Sequence, residues 1–354
     1  MTKKARLIAF YLPQFHPVPE NDEWWGKGFT EWTNVTKAKP LFKGHFQPHL
    51  PADLGFYDLR VPETREAQAD LAREYGIEGF CYWHYWFGNG RRILERPFNE
   101  VLKSGKPDFP FCLGWANQTW SGIWHGAPNR VLIEQTYPGP SDYEKHFYTL
   151  LEAFHDSRYM TVHGKVIFLL YAPASLPNAM AFTEQWRELA VKEGLKGIHF
   201  IGHNIESQPH KYGCDAFVAN APFVFTPAPF LERLHSLVRR LKGKRLPTIR
   251  SYAAFVRYIN NLTLAKGEYP LIVPNWDNTP RSNKNGFVLQ GSTPELFRSH
   301  VLGAMKKIDH VEDYEDRILF IKAWNEWAEG NYLEPDRQYG HAYLQVIKEI
   351  LSHG

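Results

Sequence analysis

Cysteine is the scarcest chemical resource of this chain. Cys81, Cys112 and Cys214 are far apart and form no CxxC pair, which excludes a disulfide framework and fits a reducing compartment. Long apolar runs are also missing. No stretch approaches the ~18 residues that a membrane-crossing helix needs. Nor does one sign of charge dominate: 41 Lys and Arg stand against 38 Asp and Glu, so electrostatics makes no case for nucleic acid as a partner. The Gly-rich signatures GxGxxG and GxxxxGK[ST], the elbow GxSxG, HExxH and the EF-hand loop are absent. Dinucleotide, P-loop and serine-hydrolase chemistry lose their usual footing, and we expect neither cofactor nor metal. The opening "MTKKARLIAFYLPQF" has basic residues and a short apolar run but no small-residue cleavage site. It reads as a first strand and not as a signal peptide, which sets the expectation of a cytoplasmic protein. Three Asn-x-Thr matches, at Asn34, Asn117 and Asn261, then carry no weight.

Aromatic residues are plentiful, at 15% of the chain with 12 Trp. So are short apolar runs, each followed by a polar or aromatic loop and then a helical pattern. They fall at 6–12, 77–87, 110–117, 165–171, 197–204, 216–222, 270–276 and 317–324. Nearly continuous apolar character suits parallel strands buried on both faces. The amphipathic stretches between them carry helix signals: Pro62 and Pro294 in first-turn positions, a capping box at Ser141 and Glu144, and Gly76 and Gly194 just past helix ends. Eight strand–helix alternations predict an α/β fold, a single (β/α)8 TIM barrel over residues 1–354 with long loops after strands 1 and 6. An open doubly wound sheet is the rival, and it lacks its Gly-rich turn. The long loops, 13–61 and 222–250, are of a length that usually serves function.

The indoles cluster at strand ends. Trp24, Trp25 and Trp32 follow the first strand; Trp83 and Trp86 end the second; Trp115, Trp120 and Trp124 end or follow the third. Trp276 ends the seventh, and Trp324 and Trp327 end the eighth, leaving Trp186 alone in a helical pattern. In a barrel all strand C-termini open onto one face, where the active site lies. Nearly every Trp is thus expected to rim one cavity, and a flat π-face suits the C–H face of a sugar.

The run ending at Trp324 leads into Glu326 and Glu329, bracketed by Trp324 and Trp327. Glycosidic cleavage needs a proton for the leaving oxygen and a second group acting at the anomeric carbon. Residues three apart diverge in a strand but converge in a turn, and Gly330 marks a bend. Around this pair we expect saccharide contacts from Tyr11, Gln14 and His16 at the end of the first strand. The following loop offers Trp24, Trp25, Glu31 and Trp32, and the second strand Tyr82, His84 and Tyr85, of which one register alone points inward. Trp115, Asn117, Trp120 and Glu134 follow the third strand; His203, Asn275, Trp276, Asp277, Trp324, Asn325 and Trp327 end or follow later ones. The basic run 237–250 reads as a solvated surface, with an anionic lipid head or the pyrophosphate of a lipid-linked glycan as its alternative partner.

"FYLPQFHPVPENDEWWGKGFTEWTNV", "GFCYWHYWF", "GWANQTW" and "AWNEWAEG" together resemble the WbsX-like proteins of bacterial polysaccharide gene sets. These are similar to glycoside hydrolase family 99, the endo-α-mannosidase family, and share its barrel. The resemblance runs from about residue 5 to 350 and includes that family's Glu-Trp-x-Glu-Gly element, here Glu326 to Gly330. It implies a retaining hydrolase of α-linked, mannose-like or polysaccharide sugars. Glu326 would act as base on the sugar 2-hydroxyl and Glu329 as acid/base, through a 1,2-anhydro intermediate. Two alternatives stand beside it. A glycosyltransferase of surface polysaccharide (O-antigen or capsule) synthesis fits the family label and the absent signal peptide, but no DxD motif or paired Gly-rich Rossmann pattern accompanies it. A non-catalytic glycan-binding barrel would keep the Trp rim without needing the acid pair.

Overall fold

Each apolar run becomes a parallel strand. The protein is described here by a computed structural model covering residues 4–122, 127–219 and 246–352. The strands are β1 (Arg6–Tyr11), β2 (Gly79–His84), β3 (Phe111–Trp115), β4 (Lys165–Leu170), β5 (Ile198–His203), β6 (Ala216–Val218), β7 (Leu271–Ile272) and β8 (Ile318–Ile321). They pair in the order β7–β8–β1–β2–β3–β4–β5–β6, all parallel. The first and last strands in sequence are therefore neighbours, with Ile8 opposite Phe320 on one side and Gly79 on the other. At the remaining seam β6 and β7 share no ladder. Phe217 N–H donates to Gly267 O and Tyr269 N–H to Phe217 O, each at 2.8 Å, so the ring nearly closes as a (β/α)8 barrel. No described helix is long and apolar enough to cross a membrane.

Both faces of these strands are buried, which is why the runs read as continuous and not alternating. The barrel interior stacks aromatic rings: Phe10 lies on Trp83 at 4.8 Å and on Phe320 at 5.3 Å. Residues one step along point outward into the helices. Tyr11 Oη donates to Gln68 on the helix Pro62–Glu74, and Tyr82 packs against Phe98 of the helix Arg96–Ser104.

Pro62 and Pro294 start their helices, and Gly76 and Gly194 take left-handed φ after theirs. Ser141 is a different case. Pro140 opens its helix with Gly139 at the cap and no side-chain capping bond, so Ser141 sits inside the first turn, not at its start. The loop after β1 carries two helices, Pro19–Trp25 and Glu31–Lys37. Trp124 and residues 222–245 of the loop after β6, with the part of the basic run that they include, lie outside the described residues.

Candidate active site

Beyond β8 the chain makes a short antiparallel pair, Asn325–Glu326 with Asn331–Tyr332, joined by a single tight turn at Trp327–Glu329. Gly330 closes the turn at φ 60°, and a Cβ there would meet the Asp277 backbone nitrogen at 2.7 Å. Only glycine fits both the left-handed backbone and that approach. The turn brings Glu326 and Glu329 to the same side, where one guanidinium receives both. Arg281 Nη1 donates to Glu329 Oε1 at 2.5 Å and Nη2 to Glu326 Oε2 at 3.1 Å, while Nε donates to Glu31 Oε2 at 3.0 Å. Each of the arginine's three nitrogens thus donates to an acid, one from the loop after β1 and two from the turn after β8.

These groups open into a cavity of about 330 Å³ at the C-terminal mouth of the barrel. Its walls carry Leu12, Gln14, Trp25, Phe29, Trp83, Tyr85, Gln118, Trp120, Tyr171 and Lys322 beside the acids and Arg281. The size lies at the lower end of small-ligand sites, and the mixture of rings with a few polar groups is typical of them. Burial first, and the neighbouring Glu329 second, push the Glu326 carboxyl up to about 8 against the pull of Arg281. Burial opposes the charge of Arg281, but Glu31, Glu329 and Glu326 outweigh it and raise its pKa well above the ordinary value. Tyr85 is held as a neutral phenol, raised by burial and then by Glu326.

Support comes from a second ring of contacts. Asn325 makes a paired hydrogen bond with the Leu12 backbone, 2.8 and 3.0 Å, pinning the end of β1 to the turn. Asp277 accepts from Thr279 N and Oγ1 at the start of the short helix Thr279–Ser282 that carries Arg281, and from Gln47; His45 lies at 2.7 Å. Trp327 donates to Glu334 at 2.6 Å, stacks on Tyr332 at 3.9 Å and meets Trp32.

Of the residues singled out in the sequence, Gln14, Trp25, Glu31, Tyr85, Trp120, Glu326 and Glu329 line this cavity. The others are placed elsewhere. Tyr11, Tyr82 and His84 face outward, because Phe10 is the inward neighbour on β1 and Trp83 the inward one on β2; His84 bonds His146 at 2.8 Å. His16 is buried against Pro13 O, Trp32 donates to Tyr57 O, and Trp24 packs 6.1 Å from Trp120 behind the wall. Trp115 donates to Trp86 O, and Asn117 ties Ala172 to Tyr137. Glu134 is exposed. His203 is sealed inside the barrel against Tyr171 and Phe10. Trp276 lies beneath Lys322, and Trp324 is buried against Phe80; Asn275 is half-buried and does not reach the cavity wall. Asp277, Asn325 and Trp327 hold the site from behind. The expected Trp rim therefore reduces, among the described residues, to Trp25, Trp83 and Trp120. Most other indoles were spent on packing, their N–H groups bonded to backbone or carboxylate oxygens.

Arg281 and Lys322 escaped the sequence reading. Lys322 left a signal, a lone cation inside the apolar run "RILFIKAW". Arg281 sits in a polar loop segment, "NTPRSN", where nothing in the local pattern marks it.

The chain has known relatives. The family model described as "Glycosyltransferase WbsX" matches residues 7–347. A protein of Xanthomonas campestris pv. campestris described as "Uncharacterized protein WxcX" is 38% identical over 99% of this chain. That alignment covers 50% of the relative, so the chain spans about half the length of the curated relatives it matches. Among solved structures, a "Glycoside hydrolase-like protein" superposes with TM-score 0.61 at 14% identity, covering 100% of this chain and 95% of the other. The GH99 endo-α-mannosidase of Bacteroides thetaiotaomicron superposes with TM-score 0.58 at 13% identity, covering 98% and 95%. At these identities the two structures establish the shared barrel.

Proposed function

Since the chain belongs to the WbsX glycosyltransferase family, a family of carbohydrate-active enzymes, we propose that it cleaves α-linked glycosidic bonds with retention, using Glu326 and Glu329. The observation that carries this reading is the convergence of both acids on Arg281 at the wall of an aromatic cavity. The mechanism follows the one that the resemblance to family 99 implies. Glu326 takes the proton of the sugar 2-hydroxyl as that oxygen attacks C1. The bond from C1 to the leaving oxygen breaks, and Glu329 supplies the proton that the leaving oxygen needs. Water then gives a proton to Glu329 and attacks C1; the C1–O2 bond opens and O2 recovers its proton from Glu326. Two inversions at C1 amount to retention.

Chain-specific chemistry supports the division of roles. A carboxyl pushed up to about 8 is a stronger base than a free one and is matched to a neutral operating pH. Arg281 holds Oε1 of Glu329, and Asn331 Nδ2 reaches Oε2 at 3.4 Å, so the carboxyl is fixed in place at the cavity wall. Trp25, Trp83 and Trp120 line the cavity, where an indole face would suit the C–H face of the ring. The substrate is then an oligosaccharide or polysaccharide.

The description of the family as a glycosyltransferase favours a second reading on the same machinery, in which an acceptor hydroxyl takes the place of water. Aryl α-glycosides with and without added acceptor sugars, alongside nucleotide sugars, separate the two. Release of the aryl group that needs Glu329 and proceeds in water alone supports hydrolysis. Turnover of nucleotide sugars with no aryl release overturns it. A Glu329→Gln protein that binds glycan and loses no rate would reduce the barrel to a binding module.

A further inference from the structure

Lys322 follows β8 directly and projects into the cavity wall four residues before Glu326. Its residue is 6% exposed. Its Nζ lies 5.3 Å from the centroid of the Trp276 ring, which stabilises the cation from one side. Among the described residues no carboxylate or carbonyl accepts from that ammonium: Glu326 feels its charge but forms no ion pair with it, since its bond goes to Arg281. The contrast between the two cations of the cavity is the informative point. Arg281 is committed to three carboxylates; Lys322 is committed to none. The ammonium carries three donors, and its place in the cavity lining lets a ligand atom reach them.

We propose that Lys322 receives a carboxylate borne by the reacting sugar, so that the substrate class is an acidic glycan containing a glycuronic acid. The inference rests on the saccharide reading of this cavity and narrows it. Tyr171 and Trp83 flank the same wall, giving an apolar surround in which one ammonium–carboxylate pair discriminates more strongly than it would in open solvent. His203, packed against Tyr171 and near enough for Lys322 to disfavour its charge, is kept neutral by burial and offers no rival cation.

The test is binding, measured by quenching of the cavity tryptophans and by calorimetry, with methyl α-glycosides of glucuronic, galacturonic and mannuronic acids against those of glucose, galactose and mannose. The wild-type protein is expected to bind at least one acidic glycoside about tenfold or more tightly than its neutral counterpart, about 1.4 kcal/mol. Lys322→Gln should bring that ratio to about one, and Lys322→Arg should retain a preference. Both variants are checked for folding by circular dichroism. Equal or tighter binding of the neutral sugars by the wild-type protein, or a preference that survives Lys322→Gln, overturns the proposal while leaving the saccharide reading standing. If no glycoside of either kind binds, the saccharide reading falls and this inference falls with it.

Discussion

Two buried carboxylates lie eight residues apart, Glu326 and Glu334, and both are pushed up, to about 8 and about 7, with burial as the leading cause. Their surroundings differ in kind. Glu334 accepts from Tyr57, Gln68 and Trp327, neutral donors that satisfy it inside closed packing. Glu326 shares one cation with two other acids and faces a cavity. A perturbed carboxyl is therefore not enough to identify a site. Coupling to other charges, together with access for a ligand, separates the candidate centre from a structural acid. The two networks meet at Trp327, which stands between Glu326 and Glu329 in the chain and gives its N–H to Glu334.

Removing Glu329 should break the comparison most sharply. Glu329→Gln is expected to lower kcat/KM by ~10²–10⁴-fold with the fold intact. Glu334→Gln should leave kcat within about twofold and lower stability by ~1–3 kcal/mol as at least one of its three donors loses its acceptor. Steady-state kinetics beside denaturant unfolding read both, and comparable rate losses would erase the distinction. Arg281→Met should cost ~3–5 kcal/mol of stability by stranding buried acids, measured by the same unfolding curves. A loss below 1 kcal/mol would show that the three acids do not depend on it.

The next effect is in the pH profile. If Glu326 acts as a base, kcat/KM should rise as its proton leaves, with an ascending limb near its value of about 8. In Glu329→Gln the like charge that helps raise Glu326 is gone, so its midpoint should fall, as followed by carbon NMR of labelled glutamate. An unmoved midpoint would mean that the two acids are not coupled. The smallest effect concerns Glu334. Its folded value of about 7 lies above the ordinary 4.5, so the folded state holds the proton more tightly. That stabilisation is complete below about 4.5 and is lost as pH rises through about 7. The fall in Tm between those limits should be shallower in Glu334→Gln than in the wild type.

The barrel was legible because burial on both faces leaves strands as unbroken apolar runs, and each of the eight was found where the chain announced it. The acid pair was legible because a turn signal, Gly330, follows it directly. What could not be read was the facing of side chains. In β2 a slip of one residue separates Trp83 and Tyr85, on the cavity, from Tyr82 and His84, packed against helices, and a strand apolar on both faces carries no alternation to tell them apart. The same limit explains the tryptophans. Position at a strand end places an indole near the mouth but does not say whether it opens to the cavity or seals the layer behind.

Local pattern thus determined the strand count, the parallel order that a right-handed strand–helix alternation imposes, and the placing of two glutamates after the last strand. Tertiary structure alone decided that Arg281, 45 residues from Glu326 and 250 from Glu31, would gather three acids. It also decided that Lys322 would be left with no acceptor among the described residues. Such groupings depend on closure of the ring, which brings distant loops to one mouth, and no short-range periodicity encodes distances that exist only once the first strand lies beside the last.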